Sequence, residues 1–295
     1  MTRNSLFTSR LGWESGNRHN EHWLKALTRA GILMAVVPTV FALKIETNSL
    51  VLHDSSGNPT RALEFPSPIT SGSSATSTPF GIVVTGPTAS SPRSAFLWNG
   101  SSVQALPELN HTHICHGSVY FKGKVMVMGG LNEDWIETYQ QGAGQWADEG
   151  ELPTAKANFA CTVVGQKLYV VGGVGINGRY HDSILAFDGV NWEKLSVKVP
   201  KKIRGPGAFP VSESALLVFG GKVEDQNAKR EDNLEVWVVD VRTLTVGVHG
   251  GALPLAGMYS AYQAVEGTEQ VAISGESAQV LLWNKAQRTF ALASQ

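Results

Sequence analysis

The stretch Lys167-Leu-Tyr-Val-Val-Gly-Gly173 is a short apolar run that ends in a glycine pair. The pattern returns at Lys124-Val-Met-Val-Met-Gly-Gly130 and at Ala215-Leu-Leu-Val-Phe-Gly-Gly221, with weaker copies at 80–86 and 270–275. The last glycines of these runs lie 44, 43, 48 and 54 residues apart along the chain. Such a spacing is typical of a repeat architecture, in which each repeat is one unit of supersecondary structure.

Length and composition agree with a single array of such repeats. The chain has 295 residues, 42% of them hydrophobic and 17% charged, and its formal net charge is −1. This balance allows a buried core and gives no bias toward nucleic acid or an anionic membrane surface. The two cysteines, Cys115 and Cys161, are too few for a disulfide framework. We therefore expect a cytoplasmic protein whose partner is neither nucleic acid nor a membrane.

One apolar segment, 30–43, leaves an alternative localisation open. It is too short to cross a bilayer as a helix, but it could be the core of a signal peptide with Val40-Phe-Ala42 as the cleavage site. The long region that precedes it contains Glu14 and Glu21, and Pro38 divides it into two strand-sized halves. These features favour a buried hairpin of a first repeat, and secretion through an N-terminal signal is the alternative.

The chain divides into an N-terminal region, 1–28, and six repeats that fill 29–295. The first 28 residues are polar and irregular, and we interpret them as a tail or as one strand of an incomplete repeat. Apolar runs separated by tight turns predict short antiparallel strands in every repeat. A stretch rich in Ser, Thr and Pro, 66–79, is predicted to be a loop. The predicted strands, repeat by repeat, are 32–37, 40–45, 50–53 and 60–65; 80–85, 95–98 and 103–106; 114–121, 124–128, 136–139 and one that holds Trp146; 159–164, 168–171, 184–187 and 192–195; 208–211, 215–219, 234–239 and 244–248; and 259–265, 270–273, 280–283 and 289–292.

The order of signals inside each repeat resembles the kelch repeat. In that family a strand that ends in Gly-Gly is followed by a strand that ends in an aromatic residue, and a Trp comes several residues later. The fifth repeat has Val246 at the Trp position, and the first two repeats are degenerate. The residues that carry the resemblance are Gly129, Gly130, Tyr139 and Trp146 in the third repeat, Gly172, Gly173, Phe187 and Trp192 in the fourth, and Gly220 and Gly221 in the fifth.

The resemblance implies an all-β fold, a six-bladed kelch-type β-propeller of four-stranded antiparallel blades. A partial seventh blade at the N-terminus is the alternative. A four-stranded meander cannot bury both of its faces alone, but radial packing against similar neighbours buries them. The glycine pairs would allow positive φ and close backbone approach, and the aromatic side chains would fill the space between splayed sheets.

In such a propeller the loops between the second and third strands of a blade open on the same face as the connections between blades. We call this the loop face, and kelch-like propellers usually bind there. Arginines beside aromatic side chains would suit an acidic or carboxylate-bearing partner, although neighbouring acidic residues dilute the positive charge. The candidate binding residues are Arg93, His111, His113, Trp135, Lys156, Arg179, Tyr180, His181, Lys202, Arg204 and Arg230.

The segment His111-Thr-His-Ile-Cys-His116 is the one cluster that suggests metal chemistry. On a strand, residues 111, 113 and 115 would share a face and could offer two nitrogen ligands and one sulfur ligand to zinc. The cluster is a single local run without a second Cys or His pair, so we expect no metal. The sequence also offers no base for Cys115 and contains no phosphate loop or dinucleotide fingerprint. We therefore expect no catalytic residue and no cofactor.

The expected function is a non-enzymatic interaction module, or scaffold, that holds a protein or peptide. The resemblance further implies a substrate-recognition component, or adaptor, of a cullin-based ubiquitin ligase. The BTB and BACK domains that accompany such propellers have no room in this chain, so a separate subunit would have to recruit the ligase. The rival is a carbohydrate-active propeller enzyme. A sialic-acid (N-acetylneuraminate) mutarotase would need a Glu–Arg–His pocket near the axis, and a galactose oxidase would need copper bound by Tyr and His.

Overall fold

The computed structural model describes residues 40–44, 49–53, 59–264, 270–275 and 281–292. All of them belong to one compact unit of the chain, 38–295. The N-terminal region 1–28 and the first predicted strand, 32–37, lie outside the described residues. The described residues form strands and contain no helix, so the predicted all-β class is confirmed. In this part of the chain, no helix has the length and apolar character needed to cross a membrane.

The strands are short and follow one another closely along the chain. The first fourteen are β1 (Val40–Lys44), β2 (Ser49–His53), β3 (Pro59–Glu64), β4 (Ser74–Thr78), β5 (Gly81–Gly86), β6 (Ser94–Trp98), β7 (Val103–Ala105), β8 (Gly117–Phe121), β9 (Lys124–Gly130), β10 (Glu133–Tyr139), β11 (Ala147–Glu151), β12 (Lys156–Ala157), β13 (Ala160–Val164) and β14 (Lys167–Val171). The others are β15 (Val174–Gly175), β16 (His181–Phe187), β17 (Trp192–Arg204), β18 (Gly207–Pro210), β19 (Ala215–Phe219), β20 (Lys222–Glu224), β21 (Arg230–Asp232), β22 (Val236–Asp240), β23 (Thr245–Val248), β24 (Tyr259–Ala264), β25 (Gln270–Gly275), β26 (Leu281–Asn284) and β27 (Thr289–Leu292).

These strands pair into a series of antiparallel sheets that follow the predicted repeats. The sheets have the orders β1-β2-β3, β4-β5-β6-β7, β8-β9-β10-β11, β13-β14-β16-β17-β20-β21, β18-β19-β22-β23 and β24-β25-β26-β27, and β12 pairs with β15 in a small separate ribbon. In the last five large sheets, the strand that comes first in the chain lies at one edge. Each sheet is therefore an up-and-down meander of neighbouring strands, as predicted.

The edge strands β4, β8, β13, β18 and β24 pack side by side in that order, and β24 also packs against β4. The strands that open the meanders thus close a ring, and the later strands of each meander extend outward from it. This is the arrangement of blades in a β-propeller, so the predicted fold is confirmed. The number of blades stays a prediction.

The core lies between neighbouring sheets. Trp146, which is 1% exposed, packs with Tyr139, Leu109 and Val83, and so joins the sheet of β8–β11 to that of β4–β7. Phe209 and Trp283 join the last two sheets in the same way. Large aromatic side chains each bury on the order of 150–250 Å² and so suit the space between splayed sheets.

Each glycine pair lies at the end of the second strand of a sheet, and at Gly129 and Gly172 the segment that leads into the next sheet passes close to the backbone. All six glycines have positive φ: Gly129 (64°), Gly130 (139°), Gly172 (67°), Gly173 (97°), Gly220 (64°) and Gly221 (76°). A Cβ on Gly129 would lie 2.7 Å from the carbonyl oxygen of Lys156, and one on Gly172 would lie 2.8 Å from that of Ile203. Both carbonyls belong to the segment that enters the next sheet, so only glycine fits at positions 129 and 172.

Regular structure extends beyond the predicted strands at two places. The predicted loop 66–79 includes β4, whose residues Ser74 and Thr76 are buried. The predicted strand 192–195 continues to Arg204 as β17, so Lys202 and Arg204 lie on a strand. β17 pairs with β20, and β20 pairs with β21, so the chain between β19 and β22 adds two strands to the preceding sheet.

The fifth repeat compensates for its missing Trp from another strand. Val246, at the position where the pattern predicts Trp, is 37% exposed. Trp237 on the neighbouring strand β22 is fully buried between the sheets, and its Nε1 donates a hydrogen bond to Glu235 Oε2 at 3.0 Å.

Candidate functional site

The segments that directly precede the edge strands β4, β8, β13 and β18 are joined to one another by backbone hydrogen bonds. The amide of Cys115 donates to the Gly72 carbonyl at 2.8 Å, that of Asn158 to the Cys115 carbonyl at 2.8 Å, and that of Gly205 to the Asn158 carbonyl at 2.7 Å. Each of these four residues lies two positions before its edge strand and has positive φ. They are Gly72 (95°), Cys115 (58°), Asn158 (49°) and Gly205 (63°).

A cavity of about 130 Å³ lies beside this hydrogen-bonded chain. We call it the axial pocket, since its walls are the first residues of β4, β8, β13 and β18 together with the segments that lead into them. The polar lining comprises hydroxyl, thiol, amide and imidazole groups, among them Ser74, Cys115, His116, Ser118, Asn158 and Cys161. None of its described lining residues is acidic, and none is a lysine or arginine.

His116 is the buried imidazole of the axial pocket. Its Nε2 lies 2.8 Å from the Thr85 hydroxyl, and among the described residues its Nδ1 has no hydrogen-bond partner. Burial, followed by the nearby His113, lowers the pKa of His116 to about 3. The backbones of His113 and Gly72 act in the opposite direction and raise the pKa of His116. Neither forms a well-aligned hydrogen bond to Nδ1. The ring is therefore neutral at physiological pH.

His113 is fully buried and is paired with a buried carboxylate. Its Nε2 lies 3.1 Å from Glu137 Oε1 and its Nδ1 lies 2.6 Å from the Gly129 carbonyl oxygen. Both side chains of the pair are 0% exposed. The Glu137 carboxylate also accepts the amides of Asn110 and His111, each at 2.7 Å. Glu137 thus fixes the segment that enters β8, and His113 offers no exposed atom to a partner.

Lys156 is also buried, at 2% exposure, but it has no carboxylate partner in the described part of the chain. Its Nζ donates long hydrogen bonds of 3.4 Å to the Gly172 carbonyl and the Ser183 hydroxyl. Burial, and then the charge of Lys194, lower its pKa to about 8. Lys156 therefore remains mostly protonated near neutral pH, as a buried cation.

Other basic side chains surround Lys156. Burial lowers the pKa of His181, and the positive charges of Lys156, Lys194 and Lys202 add to this effect, while Asp182 opposes it. His181 Nε2 is buried without a hydrogen-bond partner in the described structure, whereas Lys194 and Lys202 are exposed. We call Lys156, His181, Lys194 and Lys202 the basic cluster. These four side chains concentrate positive charge around Lys156.

Tyr180 and Arg230 hold the hairpin β20–β21 against the loop that follows β14. The Arg230 guanidinium lies 4.5 Å from the centre of the Tyr180 ring, and Tyr180 itself is 4% exposed. Arg230 Nε donates to Glu224 Oε2 at 3.0 Å, and its Nη2 donates to the Gly178 carbonyl at 2.9 Å. The guanidinium of Arg230 is therefore held by contacts within the protein, although its side chain is 49% exposed.

The other predicted binding residues are dispersed. Arg93 pairs with Glu108 at 3.1 Å, and the His111 ring stacks on Trp135 with ring centres 4.2 Å apart. Arg179 is exposed. Arg204 is half-buried, and its Nε lacks a partner among the residues that the structure describes. The structure thus brings Lys156, His181 and Lys202 together and leaves Arg93, His111 and Trp135 elsewhere.

The segment that contains the three possible metal ligands is not a strand. It precedes β8, and Cys115 has φ of 58°, so residues 111, 113 and 115 do not share one face of a β-strand. Within the described ranges, no group of three or more His, Cys, Asp or Glu side chains could hold a metal ion. Burial also raises the pKa of the Cys161 thiol to about 12, so this thiol is not a nucleophile at neutral pH.

Comparisons with known proteins agree with the repeat signature. No family model matches the chain. Mouse kelch-like protein 15 is 29% identical over 92 residues, which is 28% of this chain and 15% of the relative. Beta-scruin from Limulus polyphemus is 27% identical over 133 residues, or 41% of this chain and 14% of the relative. Human host cell factor 1 is 26% identical over 151 residues, or 47% and 7%.

The solved structure of YjhT is similar in fold, with a TM-score of 0.65 and 14% identity over 87% of this chain and 97% of that structure. The curated relatives are kelch-repeat proteins, and YjhT shares the propeller architecture. The chain is a kelch-type β-propeller. It spans less than a sixth of the length of the curated relatives it matches. The fold and these relatives support an interaction module in general terms.

Sequence reasoning missed several groups that shape the loop face of this kelch-type propeller. Glu137 lies in the predicted strand 136–139, and its acidic side chain gave no sign of burial. Asn158 and His116 were not singled out as pocket residues. A signal was present for Asn158, since it follows Cys115 by 43 residues, which is also the distance from Gly130 to Gly173. Aligning the repeats on their glycine pairs would have placed Asn158 beside Cys115.

Proposed function

We propose that this kelch-type propeller is a non-enzymatic interaction module whose loop face binds a protein or peptide partner with acidic side chains. The basic cluster is the observation that carries the proposal. Lys194 and Lys202 are exposed there, and the buried Lys156 lacks a carboxylate partner in the described structure. A partner's carboxylates would supply the negative charge that the described surroundings of Lys156 lack.

The cellular setting belongs to the same proposal. We place the protein in the cytoplasm, and its partner would be a protein rather than nucleic acid or a membrane. A role in substrate recognition by a ubiquitin ligase is a narrower form of the proposal. Kelch-like protein 15 and host cell factor 1 support a protein partner in general, and they say nothing about its acidity.

Charge reversal on the two faces of the propeller tests the proposal. Lys194→Glu/Lys202→Glu reverses two exposed charges of the basic cluster. Lys122→Glu/Lys285→Glu makes the same change in turns on the opposite face, and all four lysines are exposed. Immobilised protein of each kind would capture proteins from a cell lysate, with quantitative mass spectrometry as the readout. We expect specific partners to be lost by about tenfold or more with the first variant and retained by the second, as removal of close charge pairs typically costs that much.

Equal recovery of every captured protein by both variants would contradict the proposal. Salt provides a second measure, because binding that depends on exposed charges weakens as ionic strength rises. We expect the captured partners to elute at a moderate salt concentration and to be richer in exposed Asp and Glu than the proteins retained by both variants.

The carbohydrate enzyme remains the alternative, and it requires Glu, Arg and His together near the axis. Of these three types, the described lining of the axial pocket includes only His116. We therefore propose binding ahead of catalysis. Mutarotation of N-acetylneuraminate, followed by NMR of the two anomers with and without the protein, tests the alternative. Accelerated interconversion that is lost with His116→Ala would overturn the binding-module proposal.

A further inference from the structure

β17 is the longest described strand, and for most of its length it has a neighbouring strand on one side only. β16 pairs with it between Trp192 and Ile203, whereas β20 pairs only with residues 202–204. No other described strand joins β17 within its sheet. We call the unpaired side of residues 192–201 the free edge of β17. An unpaired edge presents backbone N–H and C=O groups that a further strand can bind.

One face of β17 presents lysine side chains to solvent. Exposed and buried residues alternate without a break from Lys194 to Pro200, although the pairing with β16 shifts register in this stretch. Lys194, Lys198 and Lys202 are all exposed and follow one another at intervals of four residues, which is about 13 Å along an extended strand. Lys198 pairs with Asp182 at 3.4 Å, and its side chain is 54% exposed. Positive charge is therefore spread along this face.

The opposite face of β17 is apolar and packs against the next sheet. Leu195, Val197 and Val199 alternate with the exposed residues and are buried. They lie in one core cluster with Trp237 and Val239 of β22. The two faces of β17 thus differ sharply in the side chains that they present.

Two valines of β23 continue the apolar face of that next sheet into solvent. Val248 is paired with Trp237, and Val246 with Val239, and directly opposite residues of an antiparallel pair share one face. Val246 is 37% exposed and Val248 is 66% exposed, although Trp237 is fully buried. β17 lies close to β23. Apolar side chains beside β17 are therefore left uncovered by the described residues.

This combination distinguishes β17 from the outer strands of the four other meanders. β11 carries Asp148, Glu149 and Glu151, and β7, β23 and β27 carry no charged residue. Lysine and proline at a sheet edge discourage pairing between two copies of the same edge, because like charges would lie opposite each other and proline has no N–H to donate. The free edge of β17 therefore favours a strand of opposite charge over a second copy of itself.

We propose that the free edge of β17 binds an extended segment of the protein partner as an added strand, in which acidic and apolar residues alternate. The acidic residues of the segment lie beside Lys194 and Lys198, and its apolar residues cover Val246 and Val248. Its backbone pairs with the free edge, as in other complexes where a peptide extends a sheet. The inference rests on the proposed function in one respect, since it takes the segment to belong to the acidic partner.

Alternation in the segment follows from strand geometry. Successive side chains of a strand point to opposite faces, so an added strand has one row on the lysine side of β17 and one row on the side of the β23 valines. A segment that is acidic throughout would place charges against Val246 and Val248, and one that is apolar throughout would leave the lysines without partners. The order of residues in the segment, and not only its net charge, therefore decides binding.

Three synthetic peptides of nine residues test the proposal. In the first Glu and Val alternate, the second has the same composition with all Glu residues at one end, and the third has Lys in place of Glu. Each is titrated into isotope-labelled protein, with the backbone amides of Ser196, Lys198 and Val248 observed by NMR. We expect saturable shifts with the first peptide and binding at least about tenfold weaker with the other two. Absence of binding by the first peptide, or equal binding of the first two, would overturn the proposal.

Methylation of the peptide backbone tests strand addition itself. Backbone N–H groups of a strand point alternately to its two sides, so either those of the Glu residues or those of the Val residues face β17. Two further peptides carry N-methyl groups on all Glu or on all Val residues. We expect one of them to lose binding by about tenfold or more and the other to keep it. Equal effects of the two methylations would overturn the pairing with the free edge.

A pair of matched variants shows whether the valines of β23 make the contact. Val246→Thr/Val248→Thr replaces a methyl group by a hydroxyl at each exposed position and keeps a β-branched side chain, so the fold should be retained. Val190→Thr makes the same change in the turn before β17, where the side chain is 81% exposed. We expect the alternating peptide to bind the first variant about fivefold more weakly and the second unchanged. Equal binding to all three proteins would overturn the assignment of the apolar side.

The two proposals fail in different ways. If the alternating peptide binds as expected but charge reversal at the basic cluster leaves partner capture unchanged, the proposed function is wrong and the assignment of the free edge stands. If charge reversal abolishes capture but the alternating peptide causes no shift at Ser196, Lys198 or Val248, the assignment of the free edge is wrong and the proposed function stands.

Discussion

Two consecutive segments that enter sheets carry a buried basic residue at the same position, and only one of them is paired. His113 lies two residues before Cys115, and Lys156 lies two residues before Asn158. Each side chain approaches the carbonyl oxygen of the first glycine of a pair, Gly129 at 2.6 Å for His113 and Gly172 at 3.4 Å for Lys156. The backbone frame is thus the same in both repeats.

The difference lies in one residue of the third strand of each sheet. Glu137 is opposite Val127, and Leu185 is opposite Val170, and both valines lie two residues before the first glycine of a pair. Leu185 therefore stands in the fourth repeat where Glu137 stands in the third. The third repeat gives its buried basic side chain, His113, a carboxylate partner, whereas the fourth leaves Lys156 without a carboxylate in the described structure, within the basic cluster. We interpret the first as a device for stability and the second as one for binding.

The largest expected effect comes from removing a carboxylate oxygen of Glu137. Glu137→Gln replaces one of the two oxygens that pair with His113 Nε2 and accept the amides of Asn110 and His111. Removing one partner of a fully buried pair that contains a charged group typically costs about 3–5 kcal/mol, and we expect a loss of that size in the free energy of unfolding. Urea denaturation followed by Trp fluorescence measures it. Glu151→Gln, at an exposed position, is the control. A loss below about 1 kcal/mol would contradict the structural role of Glu137.

A glycine exchange tests the backbone frame that the two repeats share. In Gly172→Ala, the new Cβ would meet Ile203 Cγ2 at 2.6 Å and the Ile203 carbonyl oxygen at 2.8 Å, with φ at 67°. We expect the free energy of unfolding to fall by about 2–4 kcal/mol from backbone strain and overpacking together. Gly178→Ala has φ of 71° and no atom within 4 Å of the new Cβ, so it reports strain alone. Similar losses in both variants would show that close packing against Ile203 is unimportant.

Removing the unpaired cation should stabilise the protein. Burial lowers the pKa of Lys156 from 10.5 to about 8, so below about pH 8 the protein holds a buried charge that the unfolded chain solvates freely. The unfolded state binds more protons between these two pKa values, so the stability of the wild type rises with pH across that window. We expect Lys156→Met to gain about 1–3 kcal/mol near neutral pH and to lose most of that gain as the pH approaches 10.5.

Urea denaturation of both proteins at about pH 7 and about pH 9.5 tests this expectation. Taking the difference between the two proteins cancels the other groups that titrate there, such as the Cys161 thiol, whose pKa is raised to about 12. Lys285→Met, an exposed position, should change stability little at either pH. A gain that does not depend on pH would mean that packing of the Met side chain, and not loss of charge, is responsible.

The fold was predictable because its decisive residues repeat. Gly172, Gly173 and Trp192 recur at similar spacing as Gly129, Gly130 and Trp146, and that spacing alone indicated an array of similar sheets. The Ser- and Thr-rich strand β4 escaped prediction because strands are recognised by apolar side chains, and its buried hydroxyl groups, including Ser74, are polar. The extension of β17 was missed because Pro200 favours a loop, although the apolar residues Leu195, Val197 and Val199 alternate as they do along a strand.

The site was less predictable because it depends on residues from different repeats. The sequence identified Lys156, His181 and Lys202 as basic residues in loops, but it gave no means to see that Lys156 would be buried. Nor could it show that Glu137 would reach His113, which lies 24 residues earlier in the chain. These contacts are set by how neighbouring sheets are joined at the glycine pairs, and a sequence read one strand at a time contains no such information.

The smallest expected effect comes from an exposed ion pair whose atoms are as close together as those of the buried His113–Glu137 pair. Arg93 Nη2 and Glu108 Oε2 are 3.1 Å apart, as are His113 Nε2 and Glu137 Oε1. The side chains of the first pair are 43% and 53% exposed, and those of the second are 0% exposed. Water already solvates Arg93 and Glu108 when they are apart, so we expect Glu108→Gln to cost about 0–1 kcal/mol, against about 3–5 kcal/mol for Glu137→Gln.

Both are measured by the same urea denaturation, and added salt should reduce only the effect of Glu108→Gln. Equal losses in the two variants would mean that the distance between the paired atoms, and not their exclusion from water, sets the strength of these pairs. The contrast between His113 and Lys156 would then have no physical basis.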